Sequence, residues 1–167
     1  MLRAVNSQTH RAINESFAIV ASQYNARYVD AMLKAARAEL KRAGARKIRV
    51  IRVPGAYEIP AAVARLARTA CLQQGDDTQH VALSAILCLG LILRGETVHA
   101  AHIGEAVSRA LMEIQVRYEL PVIHEVLLLE NEEQARVRCL RKRHNRGAEA
   151  AQTALAMVKV MRKLSQF

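Results

Sequence analysis

Two polar segments of the chain carry residue types that can do chemistry. The first is the loop Arg94-Gly95-Glu96-Thr97-Val98-His99, which follows an apolar run and precedes a helical pattern. Free backbone N–H groups and the positive end of a helix dipole favour a bound anion such as phosphate at this point. Thr97 adds a hydroxyl donor, and His99 can act as an acid or base near neutral pH. An ordinary strand–glycine–helix turn has the same spacing, so both interpretations stay open.

The second segment is a basic run close to the C-terminus, formed by Arg138, Arg141, Lys142, Arg143 and Arg146. On a helix, Arg138 and Lys142 lie four residues apart and share one face. Two cations that point at one spot repel each other unless an anion lies between them, so this pair is a candidate phosphate clamp. By charge alone, a solvated basic face is the simpler interpretation, and this interpretation applies to the remaining basic residues of the run.

Two shorter loops are candidate substrate-binding segments. In Pro54-Gly55-Ala56-Tyr57-Glu58, the carboxylate either caps the next helix or accepts hydrogen bonds from a polyol. After the first apolar run, Tyr24 can stack on a flat heterocycle and Asn25 can bind hydroxyl groups. His99 and His102 are three residues apart, but no third ligand stands at a supporting spacing, so we expect no metal site. A glycine-rich nucleotide fingerprint and a G-x-S-x-G elbow are both absent from the sequence.

Hydrophobic patterning predicts the elements that position these loops. Short continuous apolar runs indicate strands buried on both faces, and apolar residues at helical spacing indicate helices. Gly90 is expected to end the third strand, and a kink is expected between His144 and Gly147. The predicted strands are 17–21, 48–53, 81–89 and 121–129, and the predicted helices are 29–40, 58–72, 99–118, 131–142 and 147–164.

The alternation of these strands and helices predicts the fold class. It favours a three-layer α/β/α sandwich around a central four-stranded parallel sheet, a flavodoxin-like arrangement. Residues 1–15 are interpreted as an N-terminal arm that is loose or adds a strand to a neighbouring sheet, and residues 16–167 as one domain. In such folds ligands bind outside the carboxyl ends of the strands, so the candidate loops should meet there.

Composition narrows the class of protein further. The chain has 167 residues, is 51% hydrophobic and carries a formal net charge of +10, which implies an anionic partner or a basic exterior. Aromatic residues make up only 4% and tryptophan is absent, so single-strand nucleic-acid binding by stacking is poorly supported. The sequence shows no secretory signal and no apolar run of about 18–20 residues, so we expect a cytoplasmic protein without a membrane span.

Together these loops resemble the 6,7-dimethyl-8-ribityllumazine synthase family, from Phe17 to about Leu164. One such motif would be weak, but four in this order are specific. The segments that carry the resemblance are Val53-Pro54-Gly55-Ala56-Tyr57-Glu58-Ile59-Pro60, Leu89-Gly90, Arg94-Gly95-Glu96-Thr97-Val98-His99, Glu130-Asn131, Glu133-Gln134-Ala135, Arg138 and Asn145-Arg146-Gly147.

The resemblance implies an enzyme of riboflavin biosynthesis that uses no metal and no organic cofactor. It would condense 5-amino-6-(ribitylamino)uracil with 3,4-dihydroxy-2-butanone 4-phosphate and release phosphate and water. His99 would transfer protons, Arg138 with Glu96 and Thr97 would hold the phosphate, and Lys142 would lie at its end. The residues implied in substrate binding are Tyr24, Asn25, Ala56, Tyr57, Glu58, Leu91, Ile92 and His124.

The resemblance also implies assembly into pentamers with active sites between subunits, and some family members form 60-subunit shells. The compact stretch from Lys142 to Gly147 favours a shell here, whose basic surface would attract RNA or other anions. The sequence departs from the family where His124-Glu125 replace the usual Phe-Gly, where Arg146 replaces a lysine, and in a longer loop at 73–79. These departures leave two alternatives: a catalytically weak flavin-binding or shell-forming scaffold, and an anion-binding or nucleic-acid-binding protein.

Overall fold

The computed structural model describes residues 12, 14–72 and 82–166 of the chain. Most of the predicted arm and the predicted loop at 73–79 lie outside this range. The elements in chain order are β1 (Ser16–Ser22), α1 (Ala26–Arg42), β2 (Lys47–Val53), α2 (Ile59–Leu72), β3 (Leu83–Leu93), α3 (His99–Tyr118), β4 (Val122–Leu129), α4 (Glu132–Ala135), a π-helical turn (Arg136–Leu140) and α5 (Arg146–Leu164).

The four strands form one parallel sheet in the order β2-β1-β3-β4, which confirms the predicted α/β class. β1 lies in the middle between β2 and β3, and all seven of its residues are buried. This explains its continuous apolar sequence, because a strand covered on both faces has no polar side. β2 and β4 are the edges of the sheet.

Alternate side chains of the sheet build two separate cores. Phe17 and Ile19 of β1 face the layer of α1 and α5, whereas Ala18 and Val20 face the layer of α2 and α3. The period-two alternation of side chains along a strand produces this division. The result is the three-layer sandwich, in which every loop that follows a strand lies at the carboxyl ends of the strands.

Gly90 does not end β3, so that prediction is wrong. The strand continues to Leu93, and Gly90 pairs with Val126 of β4. A Cβ atom at this position would lie 3.0 Å from Val126 Cγ1 and 3.2 Å from Ile59 Cδ1. The glycine is therefore required by the packing of α2 and β4 over the strand and does not mark a turn.

The single helix predicted over 131–142 is also corrected. One short α-helical turn continues as a π-helical turn that ends at Leu140, and the chain is irregular from Arg141 to the N-cap of α5. Asn145 starts α5 by accepting hydrogen bonds from the N–H groups of Gly147 and Ala148, at 3.0 and 3.4 Å. The break predicted between His144 and Gly147 is confirmed.

Gly147 lets α5 cross α1 at very short range. A Cβ atom on it would lie 2.0 Å from the carbonyl oxygen of Met32. Close contact here fixes the start of α5, and with it Asn145 and Arg146, against the core.

None of the helices in the described part of the chain combines the length and the apolar character that a membrane span needs.

Candidate active site

A cavity of about 1170 Å³ opens at the carboxyl edge of the sheet, between the loops after β1, β2 and β3 and one flank of α3. A volume of this size suits a small organic molecule. The structure therefore brings most of the predicted site residues together. Those that line the cavity are Tyr24, Asn25, Ala56, Tyr57, Glu58, Leu91, Ile92, Thr97 and His99.

Gly55 allows two candidate side chains to come together at the mouth of the cavity. A Cβ atom there would lie 2.8 Å from Glu58 Oε2 and 3.0 Å from Tyr24 Cδ2. Glu58 Oε2 accepts a hydrogen bond from the Gly55 N–H at 2.8 Å, so one carboxylate oxygen is bound within the loop that precedes α2. The Tyr24 ring is 70% exposed and is therefore available as a flat surface for stacking.

Asn25 connects the loop after β1 to the end of β3. Its Nδ2 donates to the Leu91 carbonyl at 2.9 Å, and its backbone is left-handed, with φ of 57°. The neighbouring N–H of Tyr24 donates to the Pro54 carbonyl at 3.1 Å. These bonds hold three strand ends in one arrangement, so the Asn25 amide has a structural contact as well as its place on the cavity wall.

The start of α3 has the free backbone donors that the sequence predicted. Val98 occupies the N-cap without a side-chain hydrogen bond, and the first α3 amides that reach the Val98 carbonyl belong to Ala101 and His102. Thr97 and His99 are exposed beside these donors, and both line the cavity. Glu96 is exposed in the same loop but does not line the cavity. An anion seated here would meet N–H groups and the positive end of a 20-residue helix.

His124 lies on the other flank of α3 and does not line the cavity. Its Nε2 is 2.9 Å from Ser108 Oγ, and partial burial lowers the pKa of its imidazole, which keeps the ring neutral at pH 7. Leu128, four residues further along β4, is exposed on the same flank beside Gly104. The structure thus places this predicted site residue apart from the rest.

Arg138 and Lys142 also lie outside the cavity of their own chain. Both are exposed, and within the part of the chain that the structure describes neither forms an ion pair. Their neighbours Arg136 and Arg141 differ, because both pair with Glu133, at 3.5 and 3.7 Å. The two cations that the sequence singled out are therefore available for an external anion, and so is the exposed Arg143, which forms no ion pair among the described residues either.

Arg146 pairs with two carboxylates at the start of α5. Its Nε donates to Glu125 Oε2 at 2.9 Å, and its Nη1 donates to Glu149 Oε2 at 2.6 Å. Burial raises the pKa of Glu125 to about 7, although Arg146 opposes the rise. Glu125 is only 7% exposed, on the face of β4 covered by α5.

Part of the cavity wall comes from a flank of α3 that the sequence analysis left out. His102, Arg109 and Glu113 follow His99 along one side of this helix and line the cavity. Their spacing of three, seven and four residues matches one helical face, which is the signal that would have identified them. Arg109 Nη2 pairs with Glu105 Oε1 at 2.8 Å, on an exposed part of the helix.

A covered parallel sheet with a molecule-sized cavity at its carboxyl edge defines a flavodoxin-like α/β protein with a small-molecule site. The family model of 6,7-dimethyl-8-ribityllumazine synthase matches residues 14–162. The chain belongs to this family.

Individual relatives agree with the family model over nearly the whole chain. A 6,7-dimethyl-8-ribityllumazine synthase of Stenotrophomonas maltophilia (strain R551-3) is 39% identical over 150 residues, which cover 89% of this chain and 90% of the relative. The protein of the same name from Xanthomonas oryzae pv. oryzae (strain PXO99A) gives the same figures. That of Xanthomonas euvesicatoria pv. vesicatoria (strain 85-10) is 38% identical over 156 residues, covering 92% of this chain and 94% of the relative.

Proposed function

We propose that this chain condenses 5-amino-6-(ribitylamino)uracil with 3,4-dihydroxy-2-butanone 4-phosphate to form 6,7-dimethyl-8-ribityllumazine. The observation that carries the proposal is the cavity beside the uncapped start of α3, where an aromatic ring, a carboxylate and an imidazole meet in a chain of this family. The scaffold and nucleic-acid alternatives are not favoured, because the family model and the relatives that match nearly the whole chain are those of the synthase.

The cavity divides into a region for the flat ring and a region for the sugar-like chain. Tyr24 offers an exposed ring for stacking on the pyrimidine, next to the apolar wall of Leu91 and Ile92. Glu58 keeps one carboxylate oxygen free of the Gly55 N–H bond, and this oxygen can accept hydrogen bonds from ribityl hydroxyls. Both substrates are thereby held in a fixed orientation, which lowers the entropic part of the barrier.

Proton transfer is the role proposed for His99. The amine of the uracil attacks the ketone, water leaves to give a Schiff base, and phosphate departs by elimination. The second amine then attacks the remaining carbonyl and closes the ring with loss of a second water. Each step moves a proton, and an exposed imidazole at the cavity wall can carry it near neutral pH. The free N–H groups at the start of α3 would stabilise the charge of the departing phosphate.

A second copy of the chain is proposed to complete the site. The cavity lies along one flank of α3, whereas His124 and Leu128 lie along the opposite flank and Arg138 and Lys142 lie outside the cavity. Two different surfaces that complement each other make a head-to-tail contact, which closes into a ring. In such a ring the cations of one subunit would reach the α3 start of the next, in keeping with the family's pentamers.

The reaction is tested by supplying both substrates and following the fluorescent lumazine product. We expect product well above the spontaneous background, and background rates alone would reject the proposal. His99→Ala should lower turnover, and unchanged turnover would reject its role while leaving the reaction in place. Size-exclusion chromatography with light scattering distinguishes a pentamer from a 60-subunit shell.

The phosphate site is tested with Arg138→Ala and with Arg136→Ala as the matched control. Arg138 has no ion-pair partner among the described residues, whereas Arg136 pairs with Glu133 on the surface. Loss of a charge-assisted contact should raise KM for the phosphate-bearing substrate by about tenfold to a hundredfold for Arg138→Ala only. An equal rise for the uracil substrate would contradict the assignment. A crystal soaked in phosphate should show density between Thr97 and Arg138 of the partner subunit.

A further inference from the structure

Glu125 is a buried carboxylate in the middle of β4 that the proposed mechanism does not use. It is 7% exposed and pairs in register with Leu89 of β3, so its side chain enters the layer between the sheet and α5. A carboxylate in such a place is unfavourable unless it has partners. Its partner is Arg146, whose Nε donates to Glu125 Oε2 at 2.9 Å.

Through Arg146, Glu125 is tied to the segment that carries the free cations. Arg146 follows Asn145, whose Nδ2 donates to the carbonyl of Cys139 at the end of the π-helical turn. Arg138 is the residue before Cys139. Since Asn145 also caps α5, the strand, the helix start and the turn that bears Arg138 are joined by consecutive hydrogen bonds.

Charged groups face Glu125 from both elements packed against it. Arg146 and Glu149 face it from α5, and Arg138 and the buried thiol of Cys139 face it from the π-helical turn. Burial raises the pKa of Glu125 to about 7, and both guanidinium groups act against that rise. The carboxylate therefore gains its negative charge within the neutral range, next to the cations.

We propose that Glu125 is a positioning residue that sets the affinity of the phosphate site: its charge holds Arg146 away from the anion and weakens the attraction of Arg138. Arg146 is paired by two carboxylates and is withheld from the phosphate, whereas Arg138 and Lys142 have no ion-pair partner among the described residues. The inference rests on the proposed function, because it assumes that these two cations bind the phosphate group. Ionisation of Glu125 then lowers anion affinity as pH rises, which favours release of the phosphate product.

The experiment compares the wild-type protein with Glu125→Gln and with the matched control Glu149→Gln. Sulfate is the probe, because its charge is constant over the pH range used, and its binding is measured by calorimetry without turnover. At pH 8, Glu125→Gln should bind sulfate about threefold to tenfold more tightly than the wild type, and the difference should disappear towards pH 5.5. Glu149→Gln leaves Glu125 charged and still paired with Arg146, so it should tighten sulfate binding at pH 8 by less than Glu125→Gln does.

Kinetics provide a second readout that a purely structural role would not change. KM for the phosphate-bearing substrate should fall at pH 8 in Glu125→Gln, while KM for the uracil substrate changes less than about twofold. Glu125→Gly, which removes side chain and charge together, should move sulfate affinity in the same direction. Equal sulfate affinity of Glu125→Gln and wild type at pH 8, or a difference independent of pH, would overturn the inference. Absence of lumazine formation in the wild type would instead reject the proposed function, because sulfate binding is measured separately.

Discussion

Replacing Gly147 with alanine should destabilise the protein, although alanine is the better helix former. The new Cβ atom would lie 2.0 Å from the Met32 carbonyl oxygen and 2.6 Å from Met32 Cα, both of them backbone atoms. Backbone atoms cannot turn away as a flexible side chain can. The start of α5 must therefore move outward by roughly 1.3 Å to restore ordinary contact with α1.

The expected cost follows from what that movement separates. α1 and α5 share a tightly packed layer that includes Val29 and Ala36 from one helix and Ala150 and Ala154 from the other. Overpacking costs about 1–3 kcal/mol, and loosening of this layer places Gly147→Ala near the upper end. We expect an unfolding free energy about 3 kcal/mol lower, measured by urea denaturation at fixed protein concentration, and a Tm lower by roughly 6–12 °C.

Ala148→Gly is the control, because it changes the neighbouring residue in the same helical turn in the opposite sense. Helix propensity alone predicts that Gly147→Ala stabilises and Ala148→Gly destabilises, each by about 0.5–1 kcal/mol. Close helix contact predicts that both destabilise, with the larger loss for Gly147→Ala. A Gly147→Ala protein that unfolds at or above the wild-type urea concentration would refute the reasoning.

Three further outcomes follow from single contacts. Asn145→Ala removes the N-cap of α5 and the bond to Cys139, so the unfolding free energy measured by thermal denaturation should fall by about 1–2 kcal/mol. Steady-state kinetics should show a raised KM for the phosphate-bearing substrate. Asn25→Ala places at a φ of 57° a residue that tolerates the left-handed region less well than asparagine, and removes the 2.9 Å bond to Leu91. Asn25→Gly loses the same bond but relieves the backbone, so it should lose less stability. Burial raises the pKa of Glu125 from 4.5 to about 7, so unfolding free energy should fall by up to about 3 kcal/mol between pH 4.5 and 7, and Glu125→Gln should remove that slope in denaturation curves.

The fold was largely predictable from the sequence, because strands buried on both faces leave a clear pattern. The run Phe17 to Ala21 identified a strand buried on both faces, and the helix expected from about His99 to Tyr118 coincides with α3. Gly90 was misinterpreted because the sequence alone does not distinguish a glycine that is needed for close packing from a glycine that ends a strand. The π-helical turn carries no sequence signal of its own, since its residues suit an α-helix equally well.

Within one chain, the structure brings only part of the predicted site residues together, in keeping with the expectation that active sites lie between subunits. Loops after parallel strands must meet at one edge, so Tyr24, Glu58 and His99 could be placed together from the strand order alone. His124 lies on the other flank of α3 and Arg138 lies outside the cavity, and no local pattern reveals which flank of a helix a distant segment covers. The pairing of Glu125 with Arg146 was equally hidden, because it joins residues 21 positions apart.

The proposed division of the site between neighbouring subunits predicts that two inactive variants can complement each other. In a ring built that way, a subunit damaged at His99 and another damaged at Arg138 would each still possess the half that the other lacks. Mixed in equal amounts, they would form some junctions in which both halves are intact, about one in four by random assortment. Two inactive proteins, dissociated and reassembled together, would thus recover part of their activity by complementation.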